Sequence, residues 1–522
     1  MGLVRTAVWV AGLAVGLGGV GYGQVSESAV GLRPIPHPFD RAERMGHSEQ
    51  APEKVMTAAE AKELFASVDE IMAFVAQDTG LAPVVKVKRK LLTRAEVTAY
   101  LMKSFDEDEG AKRLQQSEIV LKKFGLLSRD FSLRPFLLTL LTEQIAGFYD
   151  DKTKTVNLLN WVPLEEQKPV LAHELTHAVQ DQKVGLEKWG SNGFKGVSKT
   201  AGEDAQRVAV DELETARQAV TEGQAMMVFV DWGLPKGETM KDHPEIAERM
   251  RTSTADTSSS PVMARAPLLL QRSLTFPYSD GLAFEQALVV KGGKEAAFTG
   301  ALTVPPSSSF EIMTPAAYMA HRPVPQLRLP NVHTLLDADY EPYDLGVMGQ
   351  LDVEIMGSLF GGEDLGVAIA PQWDGGVYYA AQRRAATEAE KKTTGSLGVM
   401  YLSRWKTEEA ADTFRKMYTA QLARKYSGVS ERTKEEGAGE TIFSTSEGDV
   451  LIALDGRELW VSEGFPLGLA RKLRDETKAV QGHGAIRMAA GGELSLGVVR
   501  GLAGFGLMKG ALAGRYTSMW LQ

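Results

Sequence analysis

The stretch His173-Glu174-Leu175-Thr176-His177 sets two imidazoles four residues apart with a carboxylate between them. On a helix, positions four apart lie on one face, one above the other. Both rings can then grip one metal ion from the same side. Glu174 stands beside them, placed to hold a water at that metal. Leu171, Leu175 and Ala178 fall on another side and would anchor the same turns in a core.

A third ligand must come from elsewhere. The familiar close spacings put it at Lys183 or Val197, neither of which suits a metal. The helical stretch after Ala205 offers AVTEGQAMM, in which Glu222 sits among Val220, Ala225, Met226 and Met227. A carboxylate in such an apolar run needs a partner, so Glu222 is the expected ligand. Glu203, Glu212 and Glu214 compete from more polar faces. Two His and one carboxylate, with a fourth position left for water, is the donor set of a catalytic zinc. In that chemistry the metal acidifies water and polarises a carbonyl, and Glu174 is the general base. One Zn2+ is the expected cofactor. Asp181, four residues past His177, is expected to orient a ligand from behind, or else to be a solvated acid. Tyr149 and Tyr278 are possible oxyanion donors, against the plainer reading of packed tyrosines. The other six histidines (37, 47, 243, 321, 333 and 483) stand singly and are expected at the surface or in packing.

The elements that must hold these residues can be read from periodicity. Residues 144–160 hold two β-prone runs around Asp150-Asp151-Lys152, a hairpin signal. Pro163 and Pro169 introduce a helix of about 14 residues carrying the paired histidines. A second long helix is expected from Ala205 to Val230. Helices are also read from Thr57, over 94–105, 111–124, 268–273, 281–290 and 347–360, and a short strand at Val84–Val87. After Gln372 the style changes. Strands are expected at 377–382, 397–403, 441–444, 450–454 and 458–461, with helices at 407–426 and 467–477. The fold class is therefore α+β: a mainly helical domain over 57–371 with a short edge sheet, then a small α+β domain over 372–522 of unassigned role.

The ends carry other signals. Residues 1–23 have one charge, Arg5, then an apolar run from Thr6 to Val20, with Gly21 and Gly23 flanking Tyr22. That order predicts a secretory signal peptide cleaved near Gly23 or Gln24, hence an exported protein, periplasmic or secreted. The apolar run is too short to span a bilayer comfortably, so no stable membrane span is expected after cleavage. Residues 24–56, with Pro34, Pro36, Pro38 and Pro52, read as a linker or wrapping arm. The Gly-rich tail 494–507 reads as a buried helix. The 522 residues are 44% hydrophobic and 24% charged, with 58 basic and 67 acidic side chains. An acidic chain without a basic run predicts no nucleic-acid partner. No cysteine is present, which excludes thiolate catalysis, disulfides and Cys-ligated zinc.

With these residues in view, the chain resembles zinc metallopeptidases of the zincin type, and among them the gluzincins, whose third ligand is a Glu. The resemblance rests on His173, Glu174 and His177, and on Glu222. A longer resemblance, to bacterial and archaeal proteins, runs through GFYD (147–150), HELTHAVQDQ (173–182) and EGQA (222–225). It continues through FPYSDGLAF (276–284) and PPSSSFEIMTP (305–315). It implies peptide-bond hydrolysis of a peptide or protein substrate, with the 147–159 segment lining the cleft as an edge strand. Phe310 and Thr314 stand where those relatives often carry polar residues. The competing expectations are a protein of this fold that binds metal or a partner without cleaving, and an envelope protein whose working part is the C-terminal domain.

Overall fold

The computed structural model describes residues 55–481 except 108, 146, 191–197 and 256–260. The expected signal peptide (1–23), nearly all of the arm (24–56) and the apolar tail lie outside the described residues. The fold is α+β. Helix α1 (Ala58–Thr79) opens with Thr57 and Glu60 bonding each other's backbone and ends on Gly80 in the left-handed region, a cap at each end. Strand β1 (Lys88–Leu92) follows, then helices α2 (Arg94–Glu107), α3 (Glu109–Phe124) and α4 (Leu133–Gln144). The expected strand at Val84–Val87 falls earlier than the real one. Val84 and Val85 donate their N–H groups to Gln182 Oε1 (2.6 and 2.9 Å) instead of to a neighbouring strand.

Strands β2 (Gly147–Asp150) and β3 (Thr155–Leu159) form the expected hairpin, with β3 also pairing parallel to β1. The order β1-β3-β2 leaves β2 at one edge, facing helix α5 (Leu164–Val184). This helix is longer than expected because it starts after Pro163 and runs through Pro169. Gln167 Nε2 donates to Leu159 O (2.7 Å), tying its first turns to β3.

The single helix expected over 205–230 is two: α6 (Ala201–Val210) and α7 (Leu213–Gly233). The break has a physical reason. Asp211 takes the N–H of Val347 (2.7 Å) and Glu212 takes the hydroxyl of Ser309 (2.6 Å), so both side chains serve neighbouring segments. The reverse holds for the two helices expected around 268–273 and 281–290. They are one, α8 (Leu268–Lys294), continuous through Pro277, kinked at Gly293 (φ 72°) and followed by a π-helical turn over Glu295–Gly300.

The C-terminal part is a seven-stranded antiparallel sheet. Its strands are β4 (Tyr340–Val347), β5 (Trp373–Arg383), β6 (Leu397–Trp405), β7 (Ser430–Glu431), β8 (Glu440–Thr445), β9 (Gly448–Asp455) and β10 (Glu458–Glu463), in the order β4-β5-β6-β10-β9-β8-β7. The sheet thus reaches back across Gln372, since β4 pairs along β5. Helix α9 (Gln350–Gly361) connects the two regions, and α10 (Glu408–Lys425) and α11 (Leu467–Val480) pack on the sheet. One apolar cluster runs from α1 through α5, α7 and α8 into the sheet. Among the described residues no helix is long and apolar enough to cross a membrane.

Candidate metal centre

The site is built where α5, α7 and α8 meet. Helix α7 crosses α8 at two glycines. A Cβ on Gly223 would lie 2.3 Å from Gly281 O, and one on Gly281 would lie 2.2 Å from Ala219 O. Only glycine permits that approach, and the residue before Gly223 is Glu222. Close packing therefore delivers a carboxylate into a helical interior.

The sequence-predicted ligands converge. His173 Nε2 and His177 Nε2 lie 3.1 Å apart. Glu222 Oε2 lies 3.2 Å from His173 Nε2 and 3.5 Å from His177 Nε2. With bonds of about 2.0–2.1 Å, a tetrahedral zinc separates neighbouring ligands by about 3.3–3.4 Å. The observed triangle fits that edge on all three sides. Oε2 faces both rings without a well-aligned N–H to receive, as a ligand atom aimed at a cation would. No other group of three or more such side chains converges in this way among the described residues. Of the competitors, Glu212 is bound to Ser309 and Glu203 takes the N–H of Lys199 (2.7 Å). Glu214 is not in the cluster either.

The four central side chains are almost fully enclosed: His173 is 1% exposed, and Glu174, His177 and Glu222 are each 2%. Burial sets their proton affinities. It pushes the Glu174 carboxyl up to about 7, with the nearby charge of Glu222 adding to the rise. It pulls the His173 imidazole below its ordinary value. For His177 burial works downward too, but the Glu222 carboxylate outweighs it and raises the ring to about 9. Burial also opposes ionisation of Glu222, yet the two histidines hold its pKa well below the usual carboxylate range.

Strand β2 positions Glu174. Glu174 Oε2 accepts the backbone N–H of Tyr149 at 2.9 Å. Gly147 lets the strand come this close, since a Cβ there would press Val170 at 3.1 Å and reach Glu174 Cγ at 3.8 Å.

Two supporting assignments need correction. The Tyr149 hydroxyl is not aimed at the candidate ligands; it donates to Asp181 Oδ2 (2.9 Å). Asp181 does not hold a histidine. Its carboxylate takes Tyr149, Lys154 Nζ (2.5 Å) and the N–H of Leu186 (3.1 Å), so it fastens the hairpin to the end of α5. Helical drift over another full turn carries it past the ligand face. Tyr278 does reach the site: its ring lies near-parallel to His173, centroids 6.3 Å apart.

The residue behind the histidines is one that sequence reasoning passed over. Gln180 Oε1 lies 2.8 Å from His177 Nδ1. The signal was available: Gln180 stands three residues past His177, on its face of the helix. Among the isolated histidines in the described region, His333 packs between Asp204 (3.1 Å) and Asp337 (3.3 Å), while His243 pairs with Glu238 (2.7 Å). His37, His47 and His483 lie outside the described residues.

Comparison of the chain with family models, with curated proteins and with solved structures returned no match.

Proposed function

We propose that the chain is an exported zinc-dependent metallopeptidase of the zincin type that hydrolyses peptide bonds, with Glu174 as general base. The observation that carries this reading is the triangle of His173 Nε2, His177 Nε2 and Glu222 Oε2, with sides of 3.1, 3.2 and 3.5 Å. It fits one zinc ion, held by two neutral rings and one carboxylate, and Glu174 stands one residue from the first ligand. Bound zinc supplies Lewis acidity for a water and a substrate carbonyl. Glu174 handles the proton. Its Oε2 is anchored by Tyr149, so Oε1 takes the proton from the attacking water and passes it to the leaving amine. Burial, which raises this carboxyl's proton affinity in the metal-free site, helps it hold the proton between the two transfers. The order of one charge, an apolar run and small residues over 1–23 is what supports export.

The test is zinc content together with cleavage of a mixed peptide library by the purified chain. The parent should bind one zinc and cleave, and a chelator should stop it. Glu174→Gln should keep its zinc and lose roughly 100- to 10,000-fold in rate. Equal rates for parent and variant would sink the mechanism.

The enclosure of all four side chains favours a second reading, a protein of the same fold that binds zinc without turnover. Under it one zinc is bound, and no peptide is cleaved by parent or variant.

A further inference from the structure

Gln180 makes three hydrogen bonds, and their directions constrain one another. Its Oε1 faces His177 Nδ1 at 2.8 Å. Its Nε2 donates to Thr221 O (3.0 Å) and to Gln224 Oε1 (2.9 Å). Gln224 Nε2 in turn donates to Ala297 O (2.8 Å) and Phe298 O (3.2 Å), carbonyls of the π-helical turn after α8. Both glutamines are fully buried.

A backbone carbonyl only accepts. Facing Ala297 O and Phe298 O, Gln224 must present its NH2 there, which leaves its oxygen toward Gln180. Gln180 must then present its own NH2 to Gln224 Oε1 and Thr221 O. Turned over, it would set its oxygen against two acceptors where neither glutamine has exposed surface, and each unmet group there is costly. Only its oxygen is left for His177, so His177 Nδ1 carries the hydrogen. In the neutral ring, Nε2, the atom in the ligand triangle, then keeps its lone pair. The same amide holds Thr221, the residue before Glu222, so one side chain constrains two of the three ligands.

Resting on the zinc reading above, we infer that Gln180 and Gln224 are positioning residues for the metal: the two π-turn carbonyls set the direction of an amide chain that fixes the His177 tautomer and the seat of Glu222. Pairing behind a ligating His of this kind is worth about 10- to 100-fold in metal affinity.

The test is zinc affinity of the full chain by chelator competition, with thermal unfolding of the zinc-free proteins alongside. Gln180→Leu should bind zinc ten- to a hundredfold more weakly than the parent. Gln224→Leu keeps the acceptor on His177 but frees its direction, and should weaken zinc by a smaller factor, threefold or more. Gln180→Glu keeps an acceptor for Nδ1 and should recover part of the loss, which a role in packing alone would not produce. If Gln180→Leu does not fold, Gln224→Leu and Gln180→Glu decide the question. Zinc affinity within twofold of the parent in every folded variant would overturn the inference and leave the peptidase reading standing. A parent that binds zinc yet cleaves nothing would overturn the peptidase reading and leave this inference standing. A parent that takes up no zinc would overturn both.

Discussion

In the C-terminal sheet, Glu463 is fully buried and receives Lys425 Nζ at 2.5 Å together with the hydroxyls of Tyr418 and Tyr426. Nearby, the buried Lys123 ammonium meets Glu447 (3.1 Å), which also takes Arg129 and Thr394 (2.8 Å). Each of these charges has an opposite partner and donors matched to acceptors. At the junction of α5 and α7 the pattern inverts. Two ring nitrogens and a carboxylate oxygen converge within 3.5 Å, and Oε2 of Glu222 and Nδ1 of His173 lack hydrogen-bond partners among the described residues. Both regions bury charge, which is costly unless compensated. The sheet compensates from within by matched ion pairs, whereas in the helical site Glu222 faces only the two imidazoles, a set that could also hold a cation. Buried polarity by itself therefore says little about chemistry, and the direction of the lone pairs says more.

The largest effect should come from breaking the self-sufficient cluster. Glu463→Leu leaves Lys425 and two tyrosine hydroxyls without their acceptor. Removing one partner of a buried pair costs about 3–5 kcal/mol. Urea unfolding should show that loss, while zinc affinity of the folded protein stays within twofold of the parent. A parallel fall in zinc affinity would show that the two regions are not independent.

The metal site should respond to zinc instead, and in a pH-dependent way. Zinc at a hundredfold excess over its Kd should stabilise the parent by about 2.7 kcal/mol, an increment that His173→Ala removes. Without metal, His177 is raised from 6.5 to about 9. Its contribution to stability is thus complete below 6.5 and lost as pH rises toward 9. Glu174, raised from 4.5 to about 7, adds a loss over that lower window. Glu222, held low, contributes above 4.5 and loses its contribution as pH falls further. Zinc must displace the His177 proton, so at one fixed zinc concentration its stabilising increment should grow between pH 6.5 and 9. Thermal unfolding with and without zinc at three pH values checks this. A flat increment would contradict the assignment of His177 as a ligand.

The contrast also shows what a sequence discloses. Apart from the two-residue β7, the strands and helices after Gln372 were readable to within a few residues because each is a short apolar run or an amphipathic repeat that ends on a turn signal. The three side chains of the candidate site were readable because His173 and His177 are local to one helix, and Glu222 was conspicuous by its apolar neighbours. The break at Asp211-Glu212 was hidden because its cause is tertiary: these side chains bond to Val347 and Ser309, more than 90 residues away. The passage of α8 through Pro277 was hidden likewise, since packing against α7 outweighs the local propensity. Gly223 owes its role to the same packing, through the crossing with Gly281. Gly223→Ala forces a Cβ to within 2.3 Å of Gly281 O. Overpacking of this sort costs roughly 1–3 kcal/mol, and here it displaces the residue beside a ligand. Stability and zinc affinity should fall together, unlike in Glu463→Leu. Loss of stability with zinc binding intact would mean that Glu222 is seated by something other than this crossing.

The smallest effect should come from Tyr149, where two roles can be separated. As an oxyanion donor its hydroxyl would be worth about 100- to 1,000-fold in rate. The geometry commits that hydroxyl to Asp181, which also holds Lys154 and the N–H of Leu186. Tyr149→Phe therefore removes one of three partners from a carboxylate that keeps the other two, for about 1 kcal/mol of stability. The contact that matters to Glu174 is the Tyr149 backbone N–H, which the substitution leaves in place. Peptide cleavage should then change less than threefold while urea unfolding registers the lost hydrogen bond. A hundredfold drop in rate at unchanged stability would return the hydroxyl to the reaction. It would also require strand β2 to move relative to α5 when substrate enters, because in this arrangement Asp181 holds the hydroxyl.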